Sequence, residues 1–250
     1  MKFGIIGYGN LGKAFASALV CTGDVTANDI YVCDISADAL ALAQKESYHT
    51  YPVENINDLI SKAYVIVIVV KGYVFDELSK TIDKSLLDGK LVVSLMAGEG
   101  FEKIYSLIGR VNLARAMPSI AIATNEGVMP YTKVPGDVAS IFNKFGFAFE
   151  TEPDGIDRIM AFASCGLGFA AYLMDAFTAA GEAMGFPHEI ASRITALTFK
   201  NAGDIGNFKE TVKSVATPGG ATQQGINHMC DSEVHTIIAT AMQKAYERVI

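Results

Sequence analysis

Two short stretches concentrate the residues whose types and spacing could do chemistry. Gly7-Tyr8-Gly9-Asn10-Leu11-Gly12 spaces three glycines as G-x-G-x-x-G, directly after the apolar run 2–6 and at the opening of an Ala-rich helical pattern. In such a run the first glycine allows a tight turn and the second lets a pyrophosphate approach the backbone. The third lets helix and strand pack closely, with phosphate at the positive helix N-terminus. Asp34 closes the next apolar run, 22 residues after Gly12, where a carboxylate can accept both hydroxyls of a ribose. Strand, helix and acid agree on a dinucleotide site. A glycine turn without a ligand is the plain alternative.

The second stretch, Thr217-Pro218-Gly219-Gly220-Ala221-Thr222, interrupts a long helix-forming sequence. Each glycine in a helix costs ~1 kcal/mol relative to alanine, so the pair needs a reason. Thr217-Pro218 reads as a helix start, a capping hydroxyl followed by proline in the first turn. Gly219 and Gly220 would then leave bare N–H groups at the helix mouth, suited to a small carboxylate. Thr222 adds a hydroxyl within reach. A Gly-rich turn between helices, with no ligand, explains the same composition.

These stretches must be positioned by two kinds of architecture. Over the first 150 residues short apolar runs alternate with helical patterns, the runs lying at 2–6, 29–34, 64–70, 90–96 and 111–117. The runs are near-continuous Val, Ile and Leu, as expected of strands covered on both faces of a parallel sheet. The order βαβα predicts an α/β fold, a Rossmann-type doubly wound parallel sheet over residues 1–152. From about residue 154 the patterns at 169–184, 188–202 and 232–249 are helical, which predicts an all-α domain over 153–250. Gly185-Phe186-Pro187 ends the first of these helices and opens the second. The segment 169–184 is apolar around most of its circumference, which demands burial. A second subunit would supply it, with a self-contained bundle as the alternative.

Composition narrows the partners. The chain has 250 residues, half of them hydrophobic, 20 basic residues against 27 acidic, and a formal net charge of −7. Without a Lys/Arg cluster, nucleic acid is not an expected partner. The most apolar run, 65–70, is too short to span a bilayer, and the N-terminus lacks a signal-peptide pattern, so a cytoplasmic chain with no membrane partner is expected. Cys21, Cys33, Cys165 and Cys230 form no CxxC pair, and His49, His188, His228 and His235 show no ligand spacing. No metal site is expected.

Read in order, GYGNLG at 7–12, VIVVKG at 67–72, VVSLMAG at 92–98, RAMPS at 115–119, NEGV at 125–128, TPGGAT at 217–222 and KAYERV near the end resemble the pyrroline-5-carboxylate reductase family over nearly the whole chain. The resemblance implies hydride transfer from NAD(P)H to the C=N bond of 1-pyrroline-5-carboxylate, giving L-proline. It implies a Rossmann domain followed by a helical dimerisation domain, hence a homodimer, with a decamer of dimers as a further assembly. Position by position it implies that Gly7, Gly9, Asn10, Leu11 and Gly12 hold the pyrophosphate, with Asp34 and Asn55 near the adenosine ribose. Val70, Lys71 and Ala97 would line the nicotinamide side. Gly220, Ala221 and Thr222 would grip the imino acid, and Thr222, the catalytic candidate, would hydrogen-bond the imine nitrogen. On the residues alone, Lys71 reads equally as a cofactor contact or a solvated strand end.

Asp34 also bears on the cofactor. Ile35, Ser36 and Ala37 follow it, with no Arg to receive a 2′-phosphate, so NADH is favoured over NADPH while either remains open. The family pattern departs at Gly72, where proline usually follows the lysine, and at Ser119-Ile120-Ala121, where Asn-Thr-Pro is usual. It departs again at Ser164–Ala170, where Leu167 and Phe169 stand in a segment usually S-G-S-G-P-A at the interdomain turn. The added apolar bulk leaves open a reductase of a related or bulkier imine, and a non-catalytic dinucleotide sensor is the alternative from another class. Gly166-Leu167-Gly168 is also similar to the interdomain motif of hydroxyacid dehydrogenases. Tyr172 and Asp175 stand where that motif has Lys and Asn, and Tyr172 reads as a core aromatic or as a proton donor.

Overall fold

Phe3–Ile6 (β1) is only four residues long, yet every one of them is buried. Its side chains alternate between two hydrophobic cores, and the same parity runs through Ile30–Asp34 (β2), Val65–Ile68 (β4) and Leu91–Ser94 (β5). Phe3, Ile5, Val32, Val67 and Val93 face one core, while Ile6, Cys33, Ile66, Ile68 and Val92 face the other. A strand apolar on both faces needs helices on both. Asn10–Cys21 (α1) and Ala37–Lys45 (α2) cover the first face through Phe15, Leu19 and Ala43. Ile56–Lys62 (α3), Gly72–Leu78 (α4) and Phe101–Ile108 (α5) cover the second through Leu59, Phe75 and Ile104. Each large apolar side chain so enclosed contributes ~1.5–3 kcal/mol.

His49–Pro52 (β3) and Asn112–Arg115 (β6) complete a six-stranded parallel sheet in the order β3-β2-β1-β4-β5-β6. The strand order reverses between β1 and β4, and the crevice outside the carboxyl ends there is where open α/β sheets bind ligands. Gly4 explains part of the close packing: a Cβ on it would stand 2.5 Å from Leu59 of α3.

The structure is a computed structural model and describes residues 1–249. It contains strands that the sequence patterns did not predict. β3 reads His-Thr-Tyr-Pro, an edge strand without a Val/Ile run. Gly127–Tyr131 (β7) and Gly146–Glu150 (β8) pair in parallel around the helix Gly136–Phe142 (α6). β7 also runs antiparallel to the chain leaving β6, with Thr132 N–H donating to Arg115 O at 2.8 Å and Met117 N–H to Pro130 O at 3.1 Å. Phe142 and Phe145 of this unit meet Phe15 of α1 edge-on, at ring separations of 5.9 and 5.3 Å.

The chain forms two compact units, residues 1–164 with those from Tyr246 onward, and residues 165–245. Gly155–Ile159 (α7) runs through a π-helical turn, Met160–Ser164, into Cys165–Ala183 (α8). The segment 164–170 is therefore helical, not a turn, and the helix begins well before residue 169. In the second unit α8 packs on His188–Ile205 (α9), where a Cβ on Gly181 would stand 3.1 Å from the Ala191 Cβ and Thr178 bonds Thr195 at 3.0 Å. Phe208–Val215 (α10), Ala221–Asp231 (α11) and Val234–Glu247 (α12) follow.

Candidate active site

The three glycines of 7–12 do three different things. Gly7 takes φ +103°, a left-handed backbone that only glycine adopts cheaply. Gly12 lies so close to it that a Cβ would stand 2.1 Å from the Gly7 carbonyl oxygen. A Cβ on Gly9 would meet nothing within 4 Å. The first glycine makes the turn, the third lets α1 pack on it, and the second faces open space at the mouth of α1. A pyrophosphate approaching the backbone fits that space.

Asp34 sits across this turn with its carboxylate held at both ends. Tyr8 N–H donates to Oδ2 at 2.6 Å, and Ser36 N–H donates to Oδ1 at 2.8 Å. Gly7 N–H reaches the Cys33 carbonyl at 2.8 Å. The carboxylate is thus held in one orientation, and each of its oxygens keeps a free lone pair for a ribose hydroxyl. Burial, with Asp34 beside it, pushes the Cys33 thiol up to about 12, so the cysteine is a neutral wall.

Gly7, Gly9, Asp34, Val70 and Lys71 line one cleft of about 250 Å³, together with Ile35, Val53, Val74 and Leu78. Ile35 is 81% exposed, an apolar side chain standing open beside the acid. Val70 apart, the apolar members Ile35, Val53, Val74 and Leu78 were missed from the sequence as lining residues, and Ile35 directly after Asp34 was the signal available. Asn10 and Leu11 open α1 beside the cleft. Asn55, at the start of α3, and Ala97, beyond β5, are exposed and are not among the residues lining it. A larger concavity of about 570 Å³, lined by Lys84, Lys90, Arg110 and neighbours, lies at the amino ends of β5 and β6. That is the wrong end of the sheet for ligand binding in this architecture.

In the second unit the glycine pair behaves differently from the sequence expectation. Thr217 is not the helix cap. Thr217–Gly220 is a turn with Pro218 at its second position, Gly219 at φ +74° at its third, and Gly220 N–H donating to Thr217 O at 2.9 Å. These are the marks of a type II turn. Gly219 N–H donates to the Gln223 side chain at 2.7 Å, so neither glycine amide is bare. Gly220 is the cap residue of α11 and offers no side-chain bond. The amides left at this helix mouth are those of Ala221, Thr222 and Gln223. A Cβ on Gly220 would stand 2.5 Å from Thr217 Oγ1, which explains the second glycine.

Residues 153–250 match the model described as pyrroline-5-carboxylate reductase dimerisation, and residues 2–98 match NADP oxidoreductase, coenzyme F420-dependent. Among curated relatives, pyrroline-5-carboxylate reductase 1 of Dictyostelium discoideum is 28% identical over 90% of this chain and 45% of its own length. This chain thus spans about half of that relative. Pyrroline-5-carboxylate reductase of Aquifex aeolicus is 28% identical over 92% of this chain and 89% of its own. The fold superposes on Plasmodium falciparum pyrroline carboxylate reductase with NADP bound at a TM-score of 0.89, 20% identity, covering 100% of this chain and 97% of that one. Residues 153–250 thus match the dimerisation domain of the pyrroline-5-carboxylate reductases, and the chain is similar to members of that family over nearly its whole length.

The departures from the family pattern acquire local reasons. At Gly72, where the family usually has proline, a Cβ would stand 1.8 Å from the Glu99 carboxylate, which fills that space. Ser119 is buried, and its hydroxyl accepts the Val128 N–H at 3.2 Å while its own N–H donates to Val128 O at 2.9 Å. It is a tie for β7. Leu167 and Tyr172 of α8 are 40% and 75% exposed, so Tyr172 is no core aromatic within this chain.

Proposed function

We propose that this chain reduces the C=N bond of 1-pyrroline-5-carboxylate with hydride from a nicotinamide dinucleotide, giving L-proline, and that it works as a homodimer in the cytoplasm. The observation that carries this reading is the presence of both halves of the machinery in one chain: the open Gly9 turn beside a clamped Asp34, and the TPGGAT turn opening α11. Four free cysteines fit a reducing compartment. The family's dimerisation domain gives the exposed apolar residues of α8 and α9 a protein partner. Further assembly into a decamer is left to measurement.

The residues divide the work. The backbone of Gly7, Gly9, Asn10, Leu11 and Gly12 receives the pyrophosphate at the start of α1. Asp34 and Asn55 belong to the adenosine ribose end, and Val70, Lys71 and Ala97 to the nicotinamide side. When bound, the dinucleotide supplies the hydride. The amides of Ala221 and Thr222, presented by Gly220, take the substrate carboxylate, and the Thr222 hydroxyl donates to the imine nitrogen. An imine is already electrophilic, so alignment is the main demand on the protein.

NADH is the favoured donor. The two backbone bonds fix the Asp34 carboxylate where a 2′-phosphate would have to sit, and no cation follows at 35–37. Loss of nicotinamide absorbance with pyrroline-5-carboxylate, run in parallel with NADH and NADPH, tests both claims. Robust turnover with higher kcat/KM for NADH is expected. Equal efficiency removes the preference. Tight dinucleotide binding without turnover overturns the function and favours the sensor.

A further inference from the structure

We propose that Asp157, oriented by Arg115, is the positioning residue that fixes the nicotinamide-side loop after β5, an inference that rests on the reductase reading above. Ala97 is the member of that loop assigned to the cofactor, and it is exposed, with only a methyl group to anchor it. Gly98 follows with φ +71°. Leu95 and Met96, buried in the two cores, hold the loop as far as Met96, but Ala97 and Gly98 have no side chain that could fix them.

The anchors come from elsewhere in the same unit and straddle Ala97. On one side, Asp157 Oδ1 of α7 accepts the Gly98 N–H at 3.3 Å. On the other, Arg115 Nη2 of β6 reaches the Met96 carbonyl at 3.5 Å. The two side chains are locked together, Arg115 Nη1 to Asp157 Oδ2 at 3.0 Å and Nη2 to Oδ1 at 2.9 Å. Such a two-point pair fixes orientation as well as distance. Their side chains are 4% and 17% exposed. Space behind the loop is closed as well, since a Cβ on Gly98 would stand 2.3 Å from the Val249 carbonyl oxygen.

A buried pair of this kind is weak support for stability, because desolvation offsets most of the attraction. Arg115 Nε is moreover buried with no partner, a further cost. What the arrangement achieves is geometric: a carbonyl and an amide on either side of Ala97 are tied to one rigid fork. Asp157 and Arg115 act through the loop and contact no reacting atom.

The test uses Arg115→Met/Asp157→Leu, which removes both charges at similar volume and so separates positioning from folding. We expect melting and NADH affinity near those of the parent, with kcat lowered about tenfold or more through misalignment. The isotope effect with 4-deuterated NADH should rise as hydride transfer becomes slower. A double variant with parental kcat, or one whose NADH affinity falls in step with kcat, overturns the inference. Exchange of the Gly98 amide with solvent gives a readout that needs no turnover. It should be slow in the parent and faster in the double variant, and equal rates overturn the positioning role even if the parent reduces no imine. Absence of turnover in the parent, with the exchange difference intact, strikes at the reductase reading alone.

Discussion

At the scale of single residues, the fingerprint glycines are not equivalent, and their differences give opposite predictions. Gly9 has φ −73° and empty space where a Cβ would go. Gly9→Ala should therefore leave the fold intact or stabilise it by ~0.4–1 kcal/mol through the unfolded chain. It should weaken dinucleotide binding at least about tenfold, since the methyl stands in the space proposed for the pyrophosphate. Gly12→Ala pushes a Cβ to 2.1 Å from a backbone oxygen that cannot swing away. Overpacking of that kind costs ~1–3 kcal/mol, so this variant should lose melting temperature first and binding as a consequence. Calorimetry beside a fluorescence titration of NADH separates the two. If both variants lose stability equally, the division of labour among the glycines is wrong. Gly72 is a milder case, because the Glu99 carboxylate that occupies its Cβ space ends a flexible side chain and can move.

At the scale of elements, the start of α11 is set by a turn, and the turn depends on one left-handed residue. An L-side chain at φ +74° costs ~1–2 kcal/mol, so Gly219→Ala should shift the turn and with it the amides of Ala221 and Thr222. KM for the imino acid should rise several-fold while NADH affinity stays put. Thr222→Ala should instead lower kcat by about two- to tenfold, the worth of ~0.5–1.5 kcal/mol for a hydrogen bond between neutral groups. Steady-state kinetics of the two variants checks the split, and a Thr222→Ala enzyme with parental kcat removes the hydroxyl from the mechanism. This element also shows what was legible in the sequence. Thr217-Pro218 carried the signal of a helix start, yet Pro followed by two glycines is equally the signal of a type II turn, and the left-handed Gly219 decides between them. The sheet was legible where strands are buried on both faces, as in β1, β4 and β5. It was not where strands carry proline in place of a Val/Ile run, as in β3 and β7. Gly7, Gly9, Gly12 and Asp34 were legible because a local motif places them. Arg115 and Asp157 lie 42 residues apart, and no local pattern announces a contact at that separation.

At the scale of the whole molecule, two properties stand apart from any motif. Within the helical run Gly155–Ala183 an 18-residue window has a mean hydropathy of 1.5 and is long and apolar enough to cross a membrane by composition, yet only 11% of that window is buried within the chain. The family's dimerisation domain includes this run, so a partner helix surface, and not lipid, is the cover that fits. The second property is a set of buried acids in the first unit. Burial raises Cys33 from 9.0 to about 12, and it raises Tyr8, Tyr48 and Tyr131 above their ordinary 10.0. A raised pKa means the folded chain keeps a proton that the unfolded chain gives up first. Stability from these groups is therefore complete below pH 9.0 and is lost as pH rises from there toward the folded values. The melting temperature should be level with respect to these groups up to pH 9.0 and should fall steadily beyond it. Cys33 is the first of them to act, because its ordinary value is the lowest. Replacing it with the similar-sized Val should delay the fall until the tyrosines begin to titrate near pH 10. Melting curves of both proteins across this range decide the matter: the same onset in Cys33→Val as in the parent would mean that the buried thiol does not govern the alkaline limit.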